Sequence, residues 1–163
     1  MKKLIALAPL ALILASVSVQ AVDPIAHQMT VTATIPTADF YVTPAGGGNW
    51  MNDPQNLDYD SQTKTLATFS RQLNMKSTTG AISAKLTSPI EMSNGTPAQN
   101  IGLSVLVNNV ALTTTSAEVL AAPAAATGQT VPFQVRAAAA PTGGYAPGSY
   151  TGLVGMLFET VTP

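Results

Sequence analysis

Between Ile25 and Ile35 the chain alternates: Met29, Val31, Ala33 and Ile35 place an apolar residue at every second position, Ile25 extends the stripe upstream, and only His27 interrupts it. A period of two predicts a half-buried β-strand. Thr30, Thr32 and Thr34 lie between the apolar positions and favour extended backbone, because branching at Cβ restricts χ1. Pro24 precedes the strand and Pro36 follows it. A strand of this kind does not stay in water with its stripe bare. It folds back into its own domain or pairs with the open edge of another molecule, and the pattern alone does not choose between the two.

Downstream the pattern predicts strands and turns throughout. Asp39 to Val42 reads as a short strand, Pro44 to Asn49 as a glycine-rich loop, and Leu57 to Asp60 as a brief strand. Thr65 to Met75 reads as a longer strand, with Phe69, Leu73 and Met75 inward. Ile82, Ala84 and Leu86 mark the next one, bounded by Thr79-Gly80 and Ser88-Pro89, and Asn94-Gly95 is a turn signal. Leu103 to Val107 and Val110 to Leu112 form a hairpin through Asn108-Asn109, since asparagine tolerates the positive φ of a type I′ turn. Ser116 is placed to cap a short helical turn through Leu120 and Ala122 that Pro123 helps to end. The alanine-rich stretches 121–126 and 137–140 read as loop, because Pro123, Gly128 and Pro141 interrupt them. Val131, Phe133 and Val135 give another strand, and Gly143-Gly144 and Pro147-Gly148 are turns.

The closing strand, Ser149 to Val161, has Tyr150, Gly152, Val154, Met156 and Phe158 on one side and Leu153, Leu157 and Val161 on the other. An apolar strand of this two-sided kind is central in a sheet, or lies at an edge that another strand covers. Gly152 and Gly155 remove side chains either for close approach of another backbone or for tight packing within the domain.

The first residues are organised differently. Met1-Lys2-Lys3 is a positive start, Leu4 to Val19 is a mostly apolar run, and Val19-Gln20-Ala21 is a small-residue cleavage site. Residues 1–21 therefore read as a signal peptide, with the mature chain beginning at Val22. The apolar run is short against the roughly 20 residues of a membrane span. Removing it takes Lys2 and Lys3 and leaves five basic against eight acidic residues, a net charge of −3 over 142 residues. That length suits one domain with a real core, and the charge supplies no basic face for nucleic acid or an anionic membrane. Charged residues make up 9% of the chain, against roughly 25% in ordinary domains. A surface this poor in charge suits cover by other subunits. Cysteine is absent, so stability rests on the core and on strand pairing.

Residues for catalysis, metal or cofactor binding do not converge. His27 lies alone in the N-terminal strand, whereas a nucleophilic arrangement needs it fixed in a pocket. Asp53, Asn56, Asp58 and Asp60 lack the Gly and final Glu of a calcium loop and read as a solvated turn. Gly46-Gly47-Gly48 lacks the Lys and Ser/Thr of a phosphate-binding loop. Asn94-Gly95-Thr96 matches a glycosylation acceptor by spacing alone.

The run QMTVTATIP, the central VLVNNVALTTTSAEV and the closing APGSYTGLVGMLFETV resemble the major pilin subunits of the CS1/CFA/I type, the alpha class of chaperone–usher fimbriae. The likeness covers most of the mature chain in the same order. Its most specific parts are the threonine-alternating arm and Gly148-Ser149-Tyr150-Thr151-Gly152; Pro36 comes slightly early for the family. The resemblance implies an all-β, immunoglobulin-like sandwich missing one strand, which the N-terminal arm of a neighbouring subunit completes. It divides the chain into signal peptide 1–21, donor strand 22–36 and sandwich domain 37–163. Ile25, Met29, Val31, Ala33 and Ile35 become the donor residues, and Tyr150, Gly152, Val154, Met156 and Phe158 the border of the acceptor groove. It further implies a structural role without catalysis or cofactor. Its partners would be copies of the same subunit, a periplasmic chaperone, an outer-membrane usher and a tip adhesin, with export to a cell-surface fimbria. A minor or tip subunit with receptor-binding duty, or an unrelated secreted sandwich binding a ligand as a monomer, are the other readings.

Overall fold

A computed structural model of the chain describes residues 39–161, all within the second of two units, Ile35–Pro163. The signal peptide, the donor strand and His27 lie outside the described residues. Two sheets share one core. The first is built from β1 (Phe40–Pro44), β4 (Phe69–Ser77), β10 (Gln129–Ala137), β7 (Ile101–Val107) and β6 (Glu91–Met92) in that order, with β8 (Val110–Ala111) also on β7. The second runs β11 (Met156–Val161), β5 (Ala81–Leu86), β9 (Ala117–Leu120). β2 (Tyr59–Asp60) and β3 (Thr65–Leu66) form a separate hairpin. Every pairing is antiparallel.

Period-two alternation places the core. Leu73, Met75 and Ser77 of β4 and Ile82, Ala84 and Leu86 of β5 are buried and face one another across the sandwich. Val105, Val107, Val131 and Phe133 complete the first sheet's inner face, and Val119 and Leu120 extend the second's. The predicted Asn108-Asn109 hairpin is present, with φ of 50° and 64°. Asn108 also explains its own identity. Its Nδ2 donates to the Val119 carbonyl at 2.7 Å and its backbone N–H to the Pro132 carbonyl at 2.8 Å, so one turn residue ties both sheets together.

In order across the sheet β1, β4, β10 and β7 occupy the A, B, E and D places of an immunoglobulin-like sandwich, and β5 and β11 the C and F places. In the complete fold a G strand lies beside F. Among the described residues β11 pairs with β5 alone, and its other edge carries no strand.

Four expectations need correction. The strand expected over Thr65 to Met75 is interrupted at Ala67-Thr68: β3 pairs with β2, the Ala67 N–H donates to the Asp58 carbonyl at 2.8 Å, and β4 then runs on to Ser77. Ser116 does not start a helical turn. Ala117–Leu120 is strand β9, drawn onto β5 by burial of Val119 and Leu120, and a register shift between Ile82 and Ser83 lets these consecutive residues both sit inside. The stretch 121–126, expected to be loop, instead contributes most of helix α1 (Ala122–Thr127), and Pro123 lies at its start instead of its end, where a missing N–H costs nothing. The last strand begins at Met156, not Ser149. Residues 152–155 are irregular; there Gly152 lies against the Glu91 backbone carbonyl too closely for a side chain, and Gly155 lies against the Thr87 hydroxyl.

Candidate functional site

The open edge of β11 has a defined hydrogen-bonding character. Met156 stands opposite Leu86, and the Leu86 N–H points away from it, to the Thr113 carbonyl at 2.7 Å. One step earlier the Thr87 N–H donates to the Gly155 carbonyl at 3.0 Å. Antiparallel ladders alternate, so each residue sends both backbone groups to the same side. Gly155, Leu157 and Glu159 therefore bond toward β5, while Met156, Phe158 and Thr160 direct N–H and C=O to the open edge. The same three side chains face the interior. Met156 and Phe158 pack against the core, and the Thr160 hydroxyl lies 2.6 Å from that of Ser77, itself buried.

A cavity of about 520 Å³ opens at the Met156 end of this edge. Phe69 of β4, Phe133 and Val135 of β10 and Leu103 of β7 form its floor, and Tyr150, Gly152, Val154 and Met156 line its side. Trp50 closes one end, with its ring 5.6 Å from Phe69 and 5.2 Å from Phe133, and Phe69 and Phe133 meet edge to face at 6.3 Å. Such aromatic pairs add about 0.5–1.5 kcal/mol each beyond their buried area. The Arg71 guanidinium, on the inward parity of β4, stays exposed and stacks 5.0 Å from the Phe69 ring centre.

The cavity wall is held from two directions. Ser93 and Thr151 exchange backbone bonds of 2.8 and 3.0 Å, joining the segment before β11 to the end of β6. The Tyr150 hydroxyl donates to the Ala146 carbonyl at 2.9 Å, and that of Tyr145 to the Ala138 carbonyl. Burial, with Tyr59 nearby, raises the Tyr145 pKa above its ordinary value and keeps it a neutral donor. A second hollow of about 520 Å³ lies between Tyr59, Tyr145 and Tyr150.

Of the five residues expected to border the groove, Tyr150, Gly152, Val154 and Met156 line the cavity. Phe158 lies further along β11 and packs against the core. The opposite face of the same stretch is not buried: Leu153 is 86% and Leu157 45% exposed. Trp50 and the Ser77, Thr79 and Thr160 hydroxyls were not anticipated. The only sequence cue to Trp50 is a lone tryptophan after a glycine run, and nothing local links Ser77 to Thr160, 83 positions away. The arrangement offers backbone pairing and apolar burial. Among the described residues no group of three or more His, Cys, Asp or Glu could hold a metal ion. Asp60 instead accepts from the Gln62 N–H at 2.8 Å and the Thr63 N–H at 3.3 Å.

Comparison with known proteins accounts for this architecture. No curated protein matches in sequence. Among solved structures, the CooA pilin subunit from enterotoxigenic Escherichia coli superposes with a TM-score of 0.54 at 20% identity, over 65% of this chain and 77% of that one. The family model for the CS1 type fimbrial major subunit matches residues 25–159. The chain belongs to the family of CS1 type fimbrial major subunits, structural proteins that polymerise with other subunits into a surface fimbria.

Proposed function

We propose that each subunit of this fimbria is completed by its neighbour: residues 22–36 of one copy lie along the open edge of β11 in the next. The observation that carries this is the edge itself. Among the described residues no strand pairs with the outward backbone groups of Met156, Phe158 and Thr160, which lie in the place where a complete sandwich has its G strand. Their side chains turn inward beside an apolar cavity. The arm has the matching form, a period-two apolar stripe at Met29, Val31, Ala33 and Ile35 with Ile25 upstream. A strand added to an open edge gains its ladder from the backbone and its fit from alternate side chains, the mode used in pilin donor-strand complementation.

On this reading Tyr150, Gly152, Val154, Met156 and Phe158 form one border of the acceptor groove, and residues 37–163 are the sandwich domain. Residues 1–21 direct export. An unpaired apolar edge aggregates in free solution, so a periplasmic chaperone covers the groove until an outer-membrane usher joins subunits. A tip adhesin begins the fibre and gives it adhesive function.

Burying a Val, Ile or Met side chain contributes roughly 1.5–3 kcal/mol, so the stripe supplies several kcal/mol beyond the ladder. Changing Val31→Asp and Ile35→Asp together abolishes fibres, seen by electron microscopy of cells, while the subunit is still exported. Normal fibres from the double variant would refute the reading.

A further inference from the structure

We infer that the arm lies antiparallel to β11 in a single register, with His27 opposite Thr160, Met29 opposite Phe158 and Val31 opposite Met156. This rests on the donor-strand reading above and specifies it residue by residue.

Parity comes first. On β11 the residues with backbone groups at the open edge are those whose side chains face the interior. An arm residue directly opposite one of them exchanges both bonds with it and points its own side chain inward as well. The odd-numbered stripe must therefore oppose Met156, Phe158 and Thr160, because a slip of one residue turns the whole stripe outward.

Polarity then fixes direction and register. At one end of the edge the Thr160 hydroxyl lies 2.6 Å from that of Ser77 and 3.0 Å from that of Thr79, so this end of the groove is polar. At the other end Met156 borders the cavity floored by Phe69 and Phe133. The stripe has the same asymmetry: His27 is its one polar member, and four apolar residues follow it. An antiparallel arm brings the imidazole to the hydroxyls, which can exchange hydrogen bonds with it, and carries Ala33 and Ile35 toward the cavity. A parallel arm would instead carry His27 away from the three hydroxyls to the end floored by Phe69, Leu103 and Phe133, where Asn52, Asp53 and Gln55 also line a mainly apolar cavity, and would set Val31 on the hydroxyls. A shift of two residues either sets Met29 on the hydroxyls or drives His27 against Phe158.

The chain has no cysteine of its own, so paired cysteines read the register directly. Fibres are grown from double variants that join M156C to M29C, V31C or A33C, then oxidised and separated under denaturing, non-reducing conditions. Directly opposed residues have Cα atoms about 5.5 Å apart, within disulfide reach, whereas diagonal neighbours stand about 7–8 Å apart, beyond it. A covalent ladder of subunits is expected with V31C alone. A second series, T160C with I25C, H27C or M29C, reads the other end of the edge and serves where Met156 variants assemble poorly. There the ladder is expected with H27C alone. Ladders displaced to a neighbouring arm position overturn the register but leave the donor-strand reading standing. Fibres that form without a ladder in either series overturn both.

Discussion

Gly152 shows how much of the groove depends on one missing side chain. A Cβ built there collides with the Glu91 carbonyl oxygen and comes within 3.1 Å of Met92 Cγ. The first of these is backbone, held in place because Glu91 and Met92 pair with Gly102 and Ile101. Gly152→Ala must therefore displace the cavity wall or the end of β6, and overpacking of this kind costs about 1–3 kcal/mol. Gly155 provides the comparison. A Cβ there meets chiefly the Thr87 hydroxyl, which rotates about one bond. Thermal unfolding of the arm-completed subunit should place Gly152→Ala well below Gly155→Ala. Equal melting temperatures would mean that the wall yields as readily as a side chain.

At the scale of elements, a charge supports the turn of the β2–β3 hairpin. The Asp60 carboxylate accepts from the Gln62 and Thr63 backbone N–H groups, and Lys64 completes the turn at φ 57°. The Gln62 bond and then Thr63 hold the Asp60 pKa below its ordinary 3.8. A depressed carboxylate pKa stabilises the folded turn above the unfolded value, and that contribution disappears as pH falls through the lower folded one. The Gln62 and Thr63 amide resonances should titrate together below pH 3.8, and Asp60→Asn should remove the transition. Unchanged titration in the variant would assign it to another group. Charge thus shapes a local turn, whereas β9 and α1 take their form from burial of Val119, Leu120 and Ala125.

For the whole molecule, the donor-strand reading makes folding and assembly one process, since no strand among the described residues covers the outer edge of β11. A strand donated head to tail is a heterologous contact that propagates into a filament, as the family's polymeric function requires. The isolated domain lacking residues 22–36 should be poorly stable without a chaperone. A peptide spanning Ile25 to Pro36 should raise its melting temperature by binding the native state. The same peptide with Met29, Val31 and Ile35 changed to Ser keeps its backbone donors but loses the side chains that fill the groove, so it should have no effect. A truncated domain that is already stable and ignores both peptides has a complete sandwich, and the donor-strand reading fails.

The sequence by itself determined what depends on neighbouring residues. Alternation at Ile82, Ala84 and Leu86 and at Val131, Phe133 and Val135 fixed which faces are buried, and Asn108-Asn109 fixed a turn, because pleat and positive φ are local properties. The arm's stripe and the motifs at the two ends of the chain were legible in the same way and led to the family. Only the tertiary structure decided that β11 lies at an edge, that its ladder breaks at 152–155, and that Pro123 opens a helix instead of closing one. It also brought Trp50 onto Phe69 and Phe133, and Thr160 onto Ser77. The physical reason is common to all of these. A strand's alternation states which of its faces is apolar, but the partner that covers an edge or stops a side chain comes from elsewhere in the chain, and no local period records it.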